Sequence, residues 1–130
     1  MEQPSFGFLL RHLREERGLS LREFAQLANV DHAYIFRLET GSKESPSDEV
    51  ILKFIRALKA GKREAEMLRY LAKHPETDTA LVSHVLTDAN VTYEIFSSAA
   101  SMAYRGTGRP DYPKLIARVR RILAEEQNDG

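Results

Sequence analysis

Apolar side chains recur three and four residues apart along most of the chain, and no stretch alternates apolar and polar in the manner of a half-buried strand. The pattern predicts an all-α protein. Phe6, Leu9, Leu10 and Leu13 share one face of a helix over residues 5–17, which Gly18 stops. Ser20 is a suitable N-cap for a short helix over 21–28. Asn29 tolerates the left-handed backbone that a tight inter-helix turn needs. Asp31 then caps a helix over 32–39, and Gly41 ends it. Residues 42–46 read as a loop. Ser47 caps a fourth helix over 48–59, with Ile51, Phe54, Ile55 and Leu58 inward and Gly61 as its C-terminal cap.

The same period continues beyond residue 61. A helix is predicted over 62–73 and is broken at His74-Pro75, since the residue before proline is driven out of helical backbone. A short helix over 79–86 follows, then one over 92–104 capped by Thr92 or Asn90. The stretch RGTGRPDY, residues 105–112, reads as a loop, and Pro113 suits the first turn of a last helix reaching Glu126. The final four residues are expected to fray. The organisation expected is a domain over 1–60 and a second over 61–130, with no flexible linker between them and no internal repeat.

Charge narrows the function classes. The 130 residues carry 19 basic and 19 acidic side chains, nine of each in residues 1–60 and ten of each in 61–130. Such balance counts against indiscriminate nucleic-acid binding, which needs a broad basic surface. Any nucleic-acid function must rest on local arrangement. The composition, 42% hydrophobic and 29% charged, is that of a soluble globular protein. There is no cysteine, hence no thiolate chemistry. No stretch approaches the roughly 18 apolar residues of a membrane span, and the first apolar run is too soon interrupted by charge for a signal peptide. A cytoplasmic protein is expected. His12, His74 and His84 lack ligand spacing. Ser83-His84 and Ser97, Ser98 and Ser101 sit in helical context without a strained elbow or triad-like neighbours. No catalytic residue, metal or cofactor is expected.

The informative stretch is SLREFAQLANVDHAYIFRLETG, residues 20–41. Two short helices crossing steeply need apolar contacts on both, here Phe24, Ala28, Val30, Ile35 and Leu38. Ala25 is small where the helices cross. The other side of the second helix carries Asp31, His32, Ala33, Phe36 and Arg37, a face suited to a major groove. Arg37 can pair with guanine in bidentate fashion, and His32 can donate or accept at a base edge. Ala33 and Phe36 suit thymine methyl groups, although a core or dimer contact is the alternative for Phe36. Asp31 is a cap or an acceptor from a cytosine amino group. Phosphate contacts are expected from Lys43, Arg22, Arg11 and backbone amides at helix N-termini.

These residues resemble the lambda-repressor-like, or Xre-family, helix-turn-helix. LRHLREERGLS resembles that family's first helix, and TGSKESPSDEVILKFIRAL its loop and fourth helix, so the likeness spans residues 6–58. It implies that His32, Ala33 and Arg37 read bases, with Phe36 at the edge, and that Leu21 and the loop residues Ser42 and Lys43 meet phosphate. It also implies an ion pair of Arg14 with Glu39 joining the first helix to the third. Leu21 replaces the polar residue usual at its position, and Asn29 the usual glycine.

In the second half, Ile95, Phe96, Ala99, Met102 and Ala103 line one helix face, and Leu115, Ile116, Val119, Ile122 and Leu123 another. A dimer interface through Phe96, Met102, Leu115, Ile116, Val119, Ile122 and Leu123 is expected, because one helix-turn-helix reads few bases. The alternative is that these helices cover each other. The string MAYRGTGRPDYPKLIARVRRILAEE is similar to the C-terminal end of DdrO-type repressors. That resemblance implies a partner, an ImmA/IrrE-type metallopeptidase, cutting near Tyr104-Arg105.

The expectation is therefore a homodimeric transcriptional repressor on a palindromic double-stranded DNA operator, relieved by proteolysis in its second half. An antitoxin that autoregulates its operon and binds a toxin is the first alternative. An adaptor that has the fold without DNA binding is the second.

Overall fold

The computed structural model describes residues 4–41, 44–105 and 108–128, with residues 104, 105 and 128 described by backbone alone. Every regular element among them is a helix: α1 (Ser5–Glu16), α2 (Leu21–Ala28), α3 (His32–Thr40), α4 (Asp48–Leu58), α5 (Lys62–Lys73), α6 (Thr79–Leu86), α7 (Tyr93–Arg105) and α8 (Tyr112–Asn128). They form two compact units, Met1–Thr79 and Ala80–Gly130.

In the first unit α1 packs on α3 and α5, and α2 on α3 and α4. Its core is built from the predicted apolar faces. Leu9, Leu10, Phe24, Ile35, Ile51 and Phe54 are all but excluded from solvent. The rings of Phe24 and Phe54, 5.3 Å apart and tilted by 43°, join α2 to α4. Burial of each large side chain is worth about 1.5–3 kcal/mol, which is what lets helices of eight or nine residues persist.

The tightest contact is between backbones. Gly7 is buried in the first turn of α1, where a Cβ would collide with the Leu38 carbonyl oxygen and lie 3.0 Å from the Glu39 Cα. The glycine allows α1 to lie directly on the end of α3.

Three expectations are corrected. The boundary expected near Gly61 lies at Thr79/Ala80. Ala65, Met67, Leu68 and Leu71 of α5 are buried, and α5 packs on α1 and α4, so it closes the first unit's core. Gly61 does not cap α4. Lys59 does so in left-handed backbone (φ 49°, ψ 45°), with Ala60 N–H donating to the Ile55 carbonyl at 3.1 Å, while Gly61 is the N-cap of α5. The loop expected over 105–112 is shorter than predicted. Tyr104 and Arg105 are the last residues of α7, and Asp111 caps α8 by accepting from Lys114 N–H at 3.2 Å. α8 begins at Tyr112, which is buried, and Pro113 lies in its first turn as expected.

In the second unit α7 packs on α8. Phe96, Ile116 and Val119 are buried within the single chain, so they cannot also form the dimer surface predicted for them. Met102, Leu115 and Leu123 are half-buried, and Ile122 is 37% exposed. The apolar stripe of each helix is largely used up by the other.

Gly7→Ala is expected to lower the stability of the chain by about 1–3 kcal/mol through overpacking, despite the helix-propensity gain. Chemical denaturation read by circular dichroism measures it. A stability equal to or above wild type would place α1 and α3 further apart.

Candidate nucleic-acid interface

α3 presents a sharply divided surface. Ile35, Leu38 and Glu39 are buried, whereas Asp31, His32, Ala33, Phe36 and Arg37 are exposed. All five residues predicted to read bases thus share one open face. Phe36 is 52% exposed, and Leu27 of α2, unremarked in the sequence, is 61% exposed. Phe36 is therefore not a core residue of the chain.

The turn that aims α3 is built from local chemistry. Ser20 and Glu23 form a reciprocal capping box at the start of α2: Glu23 N–H donates to Ser20 Oγ at 3.1 Å, and Ser20 N–H to Glu23 Oε1 at 2.9 Å. That backbone hydrogen bond, with the Ser20 hydroxyl, holds the Glu23 carboxyl below the usual glutamate range. Asn29 takes left-handed backbone (φ 55°, ψ 49°), and Val30 N–H closes the turn on the Ala25 carbonyl at 3.0 Å. Asp31 Oδ1 accepts from Ala33 N–H at 3.2 Å, so the carboxylate serves as the cap of α3. His32 Nδ1 lies 3.8 Å from the same oxygen. Arg22, Ala25, Gln26, Asn29, Val30, Asp31 and His32 line an open depression of about 410 Å³ at this turn.

The other end of α3 is held by charge. Arg14 Nε and Nη2 donate to the two Glu39 carboxylate oxygens at 2.8 and 2.9 Å, and Nη1 donates to the Leu19 carbonyl at 2.8 Å. Arg14 is 9% exposed and Glu39 3%. The hydrogen bonding to the Glu39 carboxylate is the main reason that the guanidinium is held above its usual value, against the opposing effect of burial. The planar fork matches the carboxylate, which a lysine could not do.

The predicted phosphate contacts are less uniform. Arg22 is exposed at the rim of the depression, and Leu21 is half-buried at the first position of α2. Arg11 is exposed but paired with Glu15 at 2.8 Å one turn along α1. Ser42 and Lys43 lie outside the described residues. Sequence reasoning missed two neighbours of Arg37. The Tyr34 ring centroid lies 5.6 Å from the Arg37 guanidinium carbon, and Glu44 Oε1 lies 3.9 Å from Arg37 Nε. The three-residue spacing of Tyr34 and Arg37 along a helix was a legible sign of the first.

A family model described as a helix-turn-helix domain matches residues 5–69, which are α1–α4 and most of α5. The chain belongs to the helix-turn-helix domain family. The HTH-type transcriptional repressor RghR of Bacillus subtilis (strain 168) is 44% identical over 55 residues, which are 42% of this chain and 41% of that protein. This chain thus matches less than half the length of that relative. The crystal structure of the clp gene regulator ClgR from C. glutamicum is similar at 31% identity and a TM-score of 0.45, covering 55% of this chain and 87% of that one. The helix-turn-helix match ends within α5, in keeping with a first unit that includes this helix.

Among the described residues no group of three or more His, Cys, Asp or Glu is placed to hold a metal ion, and no helix is long and apolar enough to cross a membrane.

Glu39→Ala is expected to destabilise the helix-turn-helix unit by about 3–5 kcal/mol, because it strands a buried guanidinium. Arg14→Ala should cost a similar amount, and the double mutant much less than the sum. Additive losses in thermal melts would mean that the two side chains do not act as a pair. The capping box has a different signature. Glu23 titrates below its ordinary value of 4.5, so its contribution is complete above that pH and is lost as pH falls through the lower folded-state value. The melting-temperature difference between wild type and Glu23→Ala should therefore shrink on acidification below about 4.5. A constant difference down to strong acid would show that the cap does not need the charge.

Proposed function

We propose that this protein is a sequence-specific transcriptional repressor that binds a palindromic double-stranded DNA operator as a homodimer. The observation that carries the reading is the divided surface of α3, buried along Ile35, Leu38 and Glu39 and open along Asp31, His32, Ala33, Phe36 and Arg37. A helix held rigidly from behind, with aromatic, cationic and small side chains on its free face, has what base-edge readout in a major groove requires. Arg37 is the candidate for guanine, His32 for an acceptor or donor edge, and Phe36 with Ala33 for thymine methyl groups. Arg22 beside the turn is placed for the flanking phosphate. The repressor name of the Bacillus subtilis relative supports the direction of regulation.

Zero net charge favours a dimer. Without a broad basic surface, one unit has little non-specific attraction to add to its few base contacts. Joining two units makes the second contact effectively intramolecular. With Phe96, Ile116 and Val119 buried in the protomer, the surface left to a partner copy in the second unit is the rim of Ile122, Leu115, Leu123 and Met102. A stable complex with a separate toxin would mark an antitoxin instead, and a chain with no salt-dependent affinity for any duplex an adaptor.

Selection from random duplexes should enrich an inverted repeat whose half-sites lie about 10 base pairs, or a small multiple, apart. Arg37→Ala and His32→Ala should each weaken binding to that operator by about 1–3 kcal/mol with the fold intact. Operator affinity unchanged in Arg37→Ala would remove α3 from the interface. A chain ended after Thr79, which retains α5, should stay folded, sediment as a monomer and bind the operator far more weakly. A dimeric fragment would move the interface into the first unit.

A further inference from the structure

We propose that Glu44 is a specificity-determining residue that occupies Arg37 in the unbound protein and must be displaced for the arginine to reach a base. The inference rests on the DNA-binding reading above and concerns a residue which that reading leaves unused. Arg37 is half exposed on the open face of α3, yet its guanidinium already has two local interactions, the Tyr34 ring at 5.6 Å and the Glu44 carboxylate at 3.9 Å. Glu44 is not a drifting loop residue. Next to it Ser45 Oγ donates to the Ala72 carbonyl in α5 at 2.8 Å, and Pro46 beyond is buried. These contacts hold the carboxylate beside the face that a duplex would approach.

The physics is a competition. A duplex brings phosphates towards Arg37 wherever it docks, but an acidic group at the same place repels them and already neutralises the cation. Non-specific contact offers Arg37 only a phosphate, in place of a carboxylate of like charge. A correctly placed guanine offers two hydrogen bonds in fixed geometry, and these favour release of the carboxylate. Glu44 thus weakens both kinds of contact but weakens the non-specific kind more, which is how a repulsive element raises discrimination. An exposed pair at this distance supplies a modest effect, about 1.5- to fivefold in affinity. Tyr34 senses the same charge. Burial is the first cause that raises its phenol above the usual range, Glu44 adds to the rise and Arg37 opposes it.

The test compares wild type, E44Q, R37A and the double mutant on the selected operator and on a scrambled duplex across a salt series. E44Q is expected to bind the scrambled duplex about 1.5- to fivefold more tightly than wild type does, with a smaller gain on the operator. In the R37A background the E44Q effect should shrink. Without DNA, the Tyr34 phenol should titrate lower in E44Q, which reads the contact in the free protein. Equal gains on both duplexes, or the same gain with and without Arg37, would overturn the proposal and leave the DNA-binding reading standing. A wild-type chain that binds no duplex would overturn both.

Discussion

The arrangement of this helix-turn-helix depends on one buried ion pair. Arg14, near the end of α1, grips both oxygens of Glu39 near the end of α3 and also the carbonyl of Leu19 in the intervening turn. Three segments that local propensity alone would leave loosely hinged are fixed by one guanidinium. The pair is costly to desolvate and contributes little net stability over an apolar alternative. What it adds is position. Apolar packing tolerates small slides between helices, whereas a bidentate pair with a third hydrogen bond permits one geometry. Gly7 is the steric counterpart, since α1 can lie on Leu38 and Glu39 only where no side chain intervenes.

From that anchor the functional face follows. α3 has nine residues, too few to hold helical structure alone in water. Its stability comes from Ile35 and Leu38 beneath, Glu39 at one end and the Asp31 cap at the other. Because those contacts lie behind or at the ends, the remaining face is free to carry residues that contribute nothing to folding. An exposed Phe36 and an exposed Arg37 are affordable there for that reason. In a chain of zero net charge, Arg37, His32 and Arg22 are thus gathered at one helix and one turn.

The second unit is a different solution to the same shortage of length. Two amphipathic helices, α7 and α8, use most of their apolar stripes on each other, burying Phe96, Ile116 and Val119. What is left is a narrower rim around Ile122. A rim of this kind offers little apolar area to a partner.

Helix period, caps and breakers are local properties, and these were legible in the residues. The all-helical fold, the ranges of α2, α5 and α6, the left-handed Asn29, the cap at Asp31 and the open face from His32 to Arg37 follow from spacing and side-chain chemistry over a few residues. The resemblance added the Arg14–Glu39 partnership, which spacing alone does not reveal. Tertiary structure decided whatever depends on which apolar surface meets which. An amphipathic stripe looks the same whether it faces its own chain or another copy, so the burial of Phe96, Ile116 and Val119 could not be read from their spacing. For the same reason the place of α5 in the first unit is not legible in the residues, because nothing local records that its Leu68 and Leu71 complete a core begun by α1 and α4. Glycine in Gly7 marks a close approach of backbones only after the two helices are crossed, and Glu44 meets Arg37 only after the loop is tied to Ala72. Periodicity determines which face of a helix is apolar, and only the packed chain decides what that face is packed against.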